Sequence, residues 1–403
     1  MVQRLVLLTL LAVGLSSFAG GQTMARDDLV VAILEAHEGL TEVVDHASDY
    51  RLQVALGLVE KAPDGRPVLR QHEFRAGAEY FYPASTVKLF AAVAAAQKLV
   101  ELREATELAI DLDTPLVYHP QFEDGEMESE DEENIEDGKI TVRQQVRKIF
   151  LVSDNQAFNY LYELVGQDGL AESMRQAGLE SPRIVHRLSE FRTAEENLQS
   201  PRIDFVGEDF TYTLPERTAE LLPSVEPANR ILVGEGYISG DERIDEPMDF
   251  APKNHFPLID LQRGLCMLVR PDVDCGGPGF ELDAADREVM LEAMSQYPRE
   301  STNPIYDAEE FPDTYVKDLL VGVERVVPRE RLKIYNKTGQ AYGFSTENAW
   351  VVDTETGQGF FLAATLYTNK DGILNDDEYE YDEIALPFMA DLGEAVARKL
   401  WQK

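Results

Sequence analysis

Ser85 and Lys88 stand three positions apart at the start of a segment patterned as a helix, so the lysine lies one turn above the serine and can reach its oxygen. A serine hydroxyl is a poor nucleophile at its free pKa and needs a nearby base. Lys88 can be that base only when neutral, which requires desolvation and positive charge close by. At a helix start Ser85 also has unpaired backbone N–H groups and the positive end of the helix dipole beside it. Both favour the oxyanion of an acyl-transfer intermediate.

Two further short segments follow in the chain, Ser153-Asp154-Asn155 and Lys337-Thr338-Gly339. Any one tripeptide is weak, but S-x-x-K, S-D-N and K-T-G in this order form the set of penicillin-recognising serine hydrolases. The sequence therefore resembles class A β-lactamases and their penicillin-binding relatives. The resemblance implies a role for each residue. Ser85 is the nucleophile, Lys88 its base, and Lys337 supplies the charge that lowers the Lys88 pKa. Ser153 relays a proton to the leaving nitrogen, Asp154 holds the loop, and Asn155 contacts the amide side chain of the substrate. Lys337 and Thr338 bind the substrate carboxylate, and the backbone N–H groups of Ser85 and Gln340 form the oxyanion hole. No cofactor or metal is implied, and nothing resembles a zinc framework. The activity expected is opening of a β-lactam through a Ser85 acyl-enzyme. Two readings share the acylation residues: a DD-peptidase acting on peptidoglycan, against which the Asp of S-D-N leans, and a pseudoenzyme that captures a β-lactam or cell-wall peptide without turning it over.

One part of the family pattern transfers incompletely. Class A enzymes carry a Glu after S-D-N, within E-x-x-L-N, that activates the water freeing the acyl-enzyme. Here the region reads HRLSEFRTAEENLQSP. Glu195 with Leu198 matches E-x-x-L, but Gln199 replaces Asn; Glu190 lies nearer the usual distance from S-D-N; Glu196 precedes Asn197. All three stay open, with a slight preference for Glu195.

The elements that must position these groups are legible in the periodicity. Asp27 to about Val44 has helical spacing. Gln53 to Val59 and Pro67 to Phe74 read as strands joined by a turn at Ala62-Pro63-Asp64-Gly65. Ser85 to about Leu102 is apolar all round, so it reads as a buried helix able to fix a nucleophile. Leu332 to Lys337, Thr346 to Asp353 and Gly359 to Thr368 read as strands, and Ala385 to Trp401 as a closing helix. Strands at both ends with a mostly helical middle predict an α+β fold. An antiparallel five-stranded sheet would be built from about 22–80 and 330–403, with a helical region over about 81–329. In the family, the active site lies between the two. An inserted segment is expected at roughly Pro201 to Pro271.

The first residues carry one Arg, an apolar run from Leu5 to Leu15, then small residues. That is the pattern of a signal peptide cut near Ala19 to Gly21, giving a periplasmic or secreted protein with no membrane contact after cleavage. About 380 residues would remain, enough for a large core. A formal charge of −37 argues against nucleic acid as a partner; the partner that the resemblance implies is a small-molecule substrate, a β-lactam or a peptidoglycan peptide. Gln121 to Gly138 is an acidic run that reads as a solvated flexible loop. Asn369 to Glu383 is also acidic, with its glycine misplaced for an EF-hand. Cys266 and Cys275 could close a small loop in an oxidising compartment; their pairing is left open.

Overall fold

The computed structural model describes residues 28–123, 125–135, 137–220 and 230–402. The N-terminal apolar run and its expected cleavage point lie outside the described residues. Both ends of the described chain enter one antiparallel sheet of strands β1 (Gln53–Lys61), β2 (Pro67–Phe74), β3 (Leu332–Asn336), β4 (Gly339–Ala341), β5 (Phe344–Asp353) and β6 (Gly359–Tyr367). Spatial order is β3-β5-β6-β1-β2. The short β4 pairs with the same edge of β5 as β3 does, Gly339 opposite Thr346 and Asn336 opposite Ala349. The expected five-stranded antiparallel sheet is present, and Lys337-Thr338 occupies the interruption between its outermost pieces.

Alternation along the central strands divides the core into two layers. Phe360, Leu362 and Ala364 of β6, with Val54 and Leu56 of β1, face the terminal helices Asp28–Glu35 and Leu386–Trp401. Phe361, Ala363 and Ala55 face the other way, toward helix Leu258–Val269 and the helical region. Burial on both faces explains why β6 reads as a nearly continuous apolar run. The helix Lys88–Thr106 is buried through its Ala-rich first half, as its sequence predicts.

Three expectations need correction. The N-terminal helix is not continuous to Val44. It stops at Glu35, His37 is extended (φ −118°, ψ 116°), and a 3-10 turn at Glu38–Leu40 then leads into a second short helix, Thr41–Asp45. Gly39 packs there so closely on the C-terminal helix that a Cβ would lie 1.9 Å from Asp391 Oδ2. Second, Pro201 to Pro271 is not one inserted unit. Its last part, Leu258–Val269, lies on the central sheet, where Gln262 Nε2 donates to the Ala55 carbonyl at 2.7 Å and Asn348 Nδ2 to the Leu261 carbonyl at 2.8 Å. Its other described residues include small sheets that join the body: Ile203–Val206 pairs with Leu116–Tyr118, and Gly236–Ser239 pairs with Ile373–Leu374 of the late acidic segment. Third, the acidic run is docked rather than free. Asp131 is 7% exposed, accepting from Gln145 Nε2 at 2.9 Å and lying 3.3 Å from Lys148 Nζ; Tyr160 donates to Glu128. Asp131 and Glu133 are compensated by Lys148, which composition alone does not reveal. Cys266 and Cys275, left open above, form a disulfide. Among the described residues no helix is long and apolar enough to cross a membrane.

Candidate active site

Residues Ala84–Val87 form a 3-10 turn that runs into helix Lys88–Thr106, so Ser85 sits at the entrance of a helix whose body is buried. Lys88 has no exposed surface. Its ammonium donates to Asn155 Oδ1 at 2.6 Å and to the Ser153 carbonyl, and lies 3.3 Å from Ser153 Oγ. Burial first, and the Lys337 charge second, push the Lys88 pKa well below its ordinary value. The amine thus has the environment that a neutral base requires. Its bonds differ from the direct Ser85 contact read from the spacing. Among the described residues nothing hydrogen-bonds to the Ser85 hydroxyl, and the amine is taken instead by three oxygens of the S-D-N turn. Such bonds often tighten only with substrate bound.

The S-D-N turn is held by helix capping. Asp154 caps Asn155–Val165 by accepting from Ala157 N at 2.6 Å, and Ser153 is forced into the left-handed region at φ 60°. Lys337 arrives from the sheet edge, 1% exposed, and donates to Ser153 Oγ at 2.8 Å and to the Thr338 carbonyl at 2.7 Å. Burial brings its pKa down to about 7 despite Glu347 and Asp318 nearby. Gly339 is the close approach that the third motif needs: a Cβ there would lie 2.7 Å from Ser85 N and 3.0 Å from Thr86 N. The next residue, Gln340, lines the cleft beside Ser85.

That cleft, about 620 Å³, is lined by Ser85, Asn155 and Gln340, by Glu190 and Phe191 of the following loop, and by Lys253, Tyr342 and Asp377. Ala84, Ser189 and Tyr342 on its wall have positive φ (46°, 54° and 55°), as Ser153 does. Strained backbone of this kind persists where surrounding packing fixes it, characteristically at functional sites.

Among the three carboxylates, Glu190 is the one that lines the cleft. It accepts from Arg192 Nε at 2.6 Å and from Asn159 Nδ2 at 3.4 Å. Glu195 is exposed, and Glu196 closes a capping box with Thr193 at a short helix start. The preference for Glu195 therefore follows its matching neighbours in sequence and not its place in the fold.

A second set of groups escaped the sequence reading. Lys317, Asp318 and Glu347 are buried directly behind Lys337-Thr338. Thr338 Oγ1 donates to Asp318 Oδ2 at 2.7 Å, and Glu347 accepts from Asn336 Nδ2 at 3.0 Å. Burial raises the pKa of both carboxyls. The signal for this cluster was a charge in the interior of a buried strand, Glu347 in β5, whose only other charged residue is Asp353 at its end.

Residues 69–229 match the model described as the beta-lactamase enzyme family. Among solved structures, a beta-lactamase from Desulfarculus baarsii is 17% identical, with 93% of this chain and 98% of that chain covered at a TM-score of 0.50. The chain has the β-lactamase fold. A beta lactamase from Xanthomonas campestris pv. campestris is also 17% identical, covering 92% of this chain and 97% of that one at a TM-score of 0.48. No curated protein matches. The resemblance to penicillin-recognising serine hydrolases read from the motifs is borne out by the family match, which spans S-x-x-K and S-D-N; K-T-G lies beyond it.

Proposed function

We propose that this chain is a serine hydrolase of the class A β-lactamase type that opens β-lactam rings through an acyl-enzyme on Ser85. Ser85 Oγ attacks the lactam carbonyl carbon while its proton passes to neutral Lys88, and the backbone N–H groups of Ser85 and Gln340 receive the oxyanion. The C–N bond then breaks, and the nitrogen takes a proton through Ser153 Oγ. Lys337 and Thr338 hold the substrate carboxylate, and Asn155 holds its amide. Water, deprotonated by Glu190, adds to the acyl ester; the product acid leaves and Ser85 regains its proton. Export to the periplasm or the medium belongs to the same reading.

One observation supports this most: Lys88 and Lys337, from motifs at opposite ends of the chain, both approach Ser153 Oγ, at 3.3 and 2.8 Å, at the cleft that Ser85 lines. The test is hydrolysis of a chromogenic cephalosporin by the purified protein, with mass spectrometry of the adduct. Steady turnover and an adduct on Ser85, lost in Ser85→Ala, are expected. A burst without turnover would point to the peptidase or binding-protein reading. An adduct elsewhere would overturn Ser85 as nucleophile.

A further inference from the structure

In a chain with 74 acidic and 37 basic residues, a cation in the cleft without a carboxylate partner is conspicuous. Lys253 is one. It comes from the inserted segment, lines the cleft with Ser85 and Gln340, and is half-buried. Its ammonium meets Tyr342 alone, 3.2 Å from the hydroxyl and 5.3 Å from the ring centroid. Among the described residues no ion pair reaches it. The other cleft charges are differently placed. The Arg187 guanidinium is buried and donates to Glu163 at 2.9 Å; Glu190 is neutralised by Arg192 at 2.6 Å; Asp377 is exposed to solvent.

Position along the strand edge says which part of a substrate Lys253 would meet. Lys337 and Thr338 precede Gln340, and Tyr342 follows it at the turn between β4 and β5. Lys337 is bonded to Ser153, the proton relay to the leaving nitrogen in the function proposed above, so that end receives the leaving part of the ring. The Tyr342 end, across the oxyanion donors, receives the acyl side chain. On the same cleft lies Phe191, 94% exposed, an aromatic ring that no other ring packs against among the described residues.

Resting on that reading, we infer that Lys253 selects substrates whose acyl side chain carries a carboxylate next to an aromatic ring. The ammonium takes the carboxylate in a charge-assisted hydrogen bond, exchanging the weaker Tyr342 contact for an ionic one. Phe191 covers the ring from the mouth of the cleft.

The experiment uses two penicillins that differ by one group, benzylpenicillin and α-carboxybenzylpenicillin, with second-order acylation rate constants read on the full chain. The wild type is expected to favour the carboxylated compound, and Lys253→Met to reduce that preference about tenfold, the scale of one charge-assisted hydrogen bond. Lys253→Arg is expected to retain it. Raising the salt concentration should lower the preference in wild type, a check that needs no variant. A preference unchanged in Lys253→Met, or insensitive to salt in wild type, overturns the inference while leaving Ser85 acylation standing. Absence of a Ser85 adduct with either penicillin overturns the function reading itself, and this inference with it.

Discussion

Lys337 Nζ donates to Ser153 Oγ at 2.8 Å across 184 positions of sequence. The bond fixes the hydroxyl oxygen as acceptor toward the sheet edge and leaves its proton available on the side of the cleft. It also brings the Lys337 charge near the Lys88 amine, so in the function proposed above one residue would both bind an anion and help keep a neighbouring lysine neutral.

Those two demands predict an optimum in pH. Burial and the Lys337 charge hold Lys88 low, and its neutral, active form grows as pH rises. Burial brings Lys337 down to about 7, and its charged, anion-binding form is lost as pH rises through that value. The acylation rate constant should therefore rise and then fall, with the alkaline limb near 7. Lys337→Arg keeps its charge and should displace the alkaline limb upward. Acylation measured across pH in both forms checks this; an alkaline limb unmoved by the substitution would remove Lys337 from it.

Deacylation is predicted to depend on Glu190. Glu190→Gln should acylate at near the wild-type rate and then hold the adduct, slowing turnover by roughly 100-fold or more, the scale of a lost general base. Glu195→Gln and Glu196→Gln should turn over normally. Burst and steady-state kinetics on the three variants decide it, and a trapped adduct in Glu195→Gln alone would reverse the assignment.

The contrast among these glutamates marks what the sequence could carry. Periodicity located all five main strands and the helix that Ser85 leads into, because both faces of the sheet are apolar and the period is short. The motif residues were legible because each needs a fixed local shape: a helix entrance for Ser85, a helix cap for Asp154, a side-chain-free position at Gly339. Choosing between Glu190 and Glu195 depends on how the 189–193 loop folds, with Ser189 in the left-handed region and Arg192 turned onto Glu190, and no periodic signal encodes that. Lys253 was invisible for the same reason. It lies two residues before His255, which pairs with Arg183, a contact between distant segments that no local pattern announces.

The acidic run offers a last prediction. Lys148, 7% exposed at its side chain, lies 3.3 Å from Asp131, 3.2 Å from Glu133 and 3.8 Å from Asp154 of the S-D-N turn. Burial works to lower its pKa, yet the three carboxylates together hold it above its ordinary value, so the lysine stays charged. Removing Met127 to Ile135 and closing the gap with a short Gly/Ser linker would cost little in loop closure. It would, however, strand a buried ammonium with Asp154 alone. The expected loss is about 3 kcal/mol, at the lower end for breaking a buried ion pair, and Asp154, drawn toward Lys148, would loosen its cap on Asn155–Val165 and slow acylation. Adding Lys148→Met to the deletion should recover much of the stability, because an apolar side chain of similar length needs no partner there. Thermal midpoints of the deletion with and without Lys148→Met, read beside penicillin labelling, test the chain of argument. A deletion that leaves both midpoint and labelling unchanged would mean that the run does not brace the S-D-N turn.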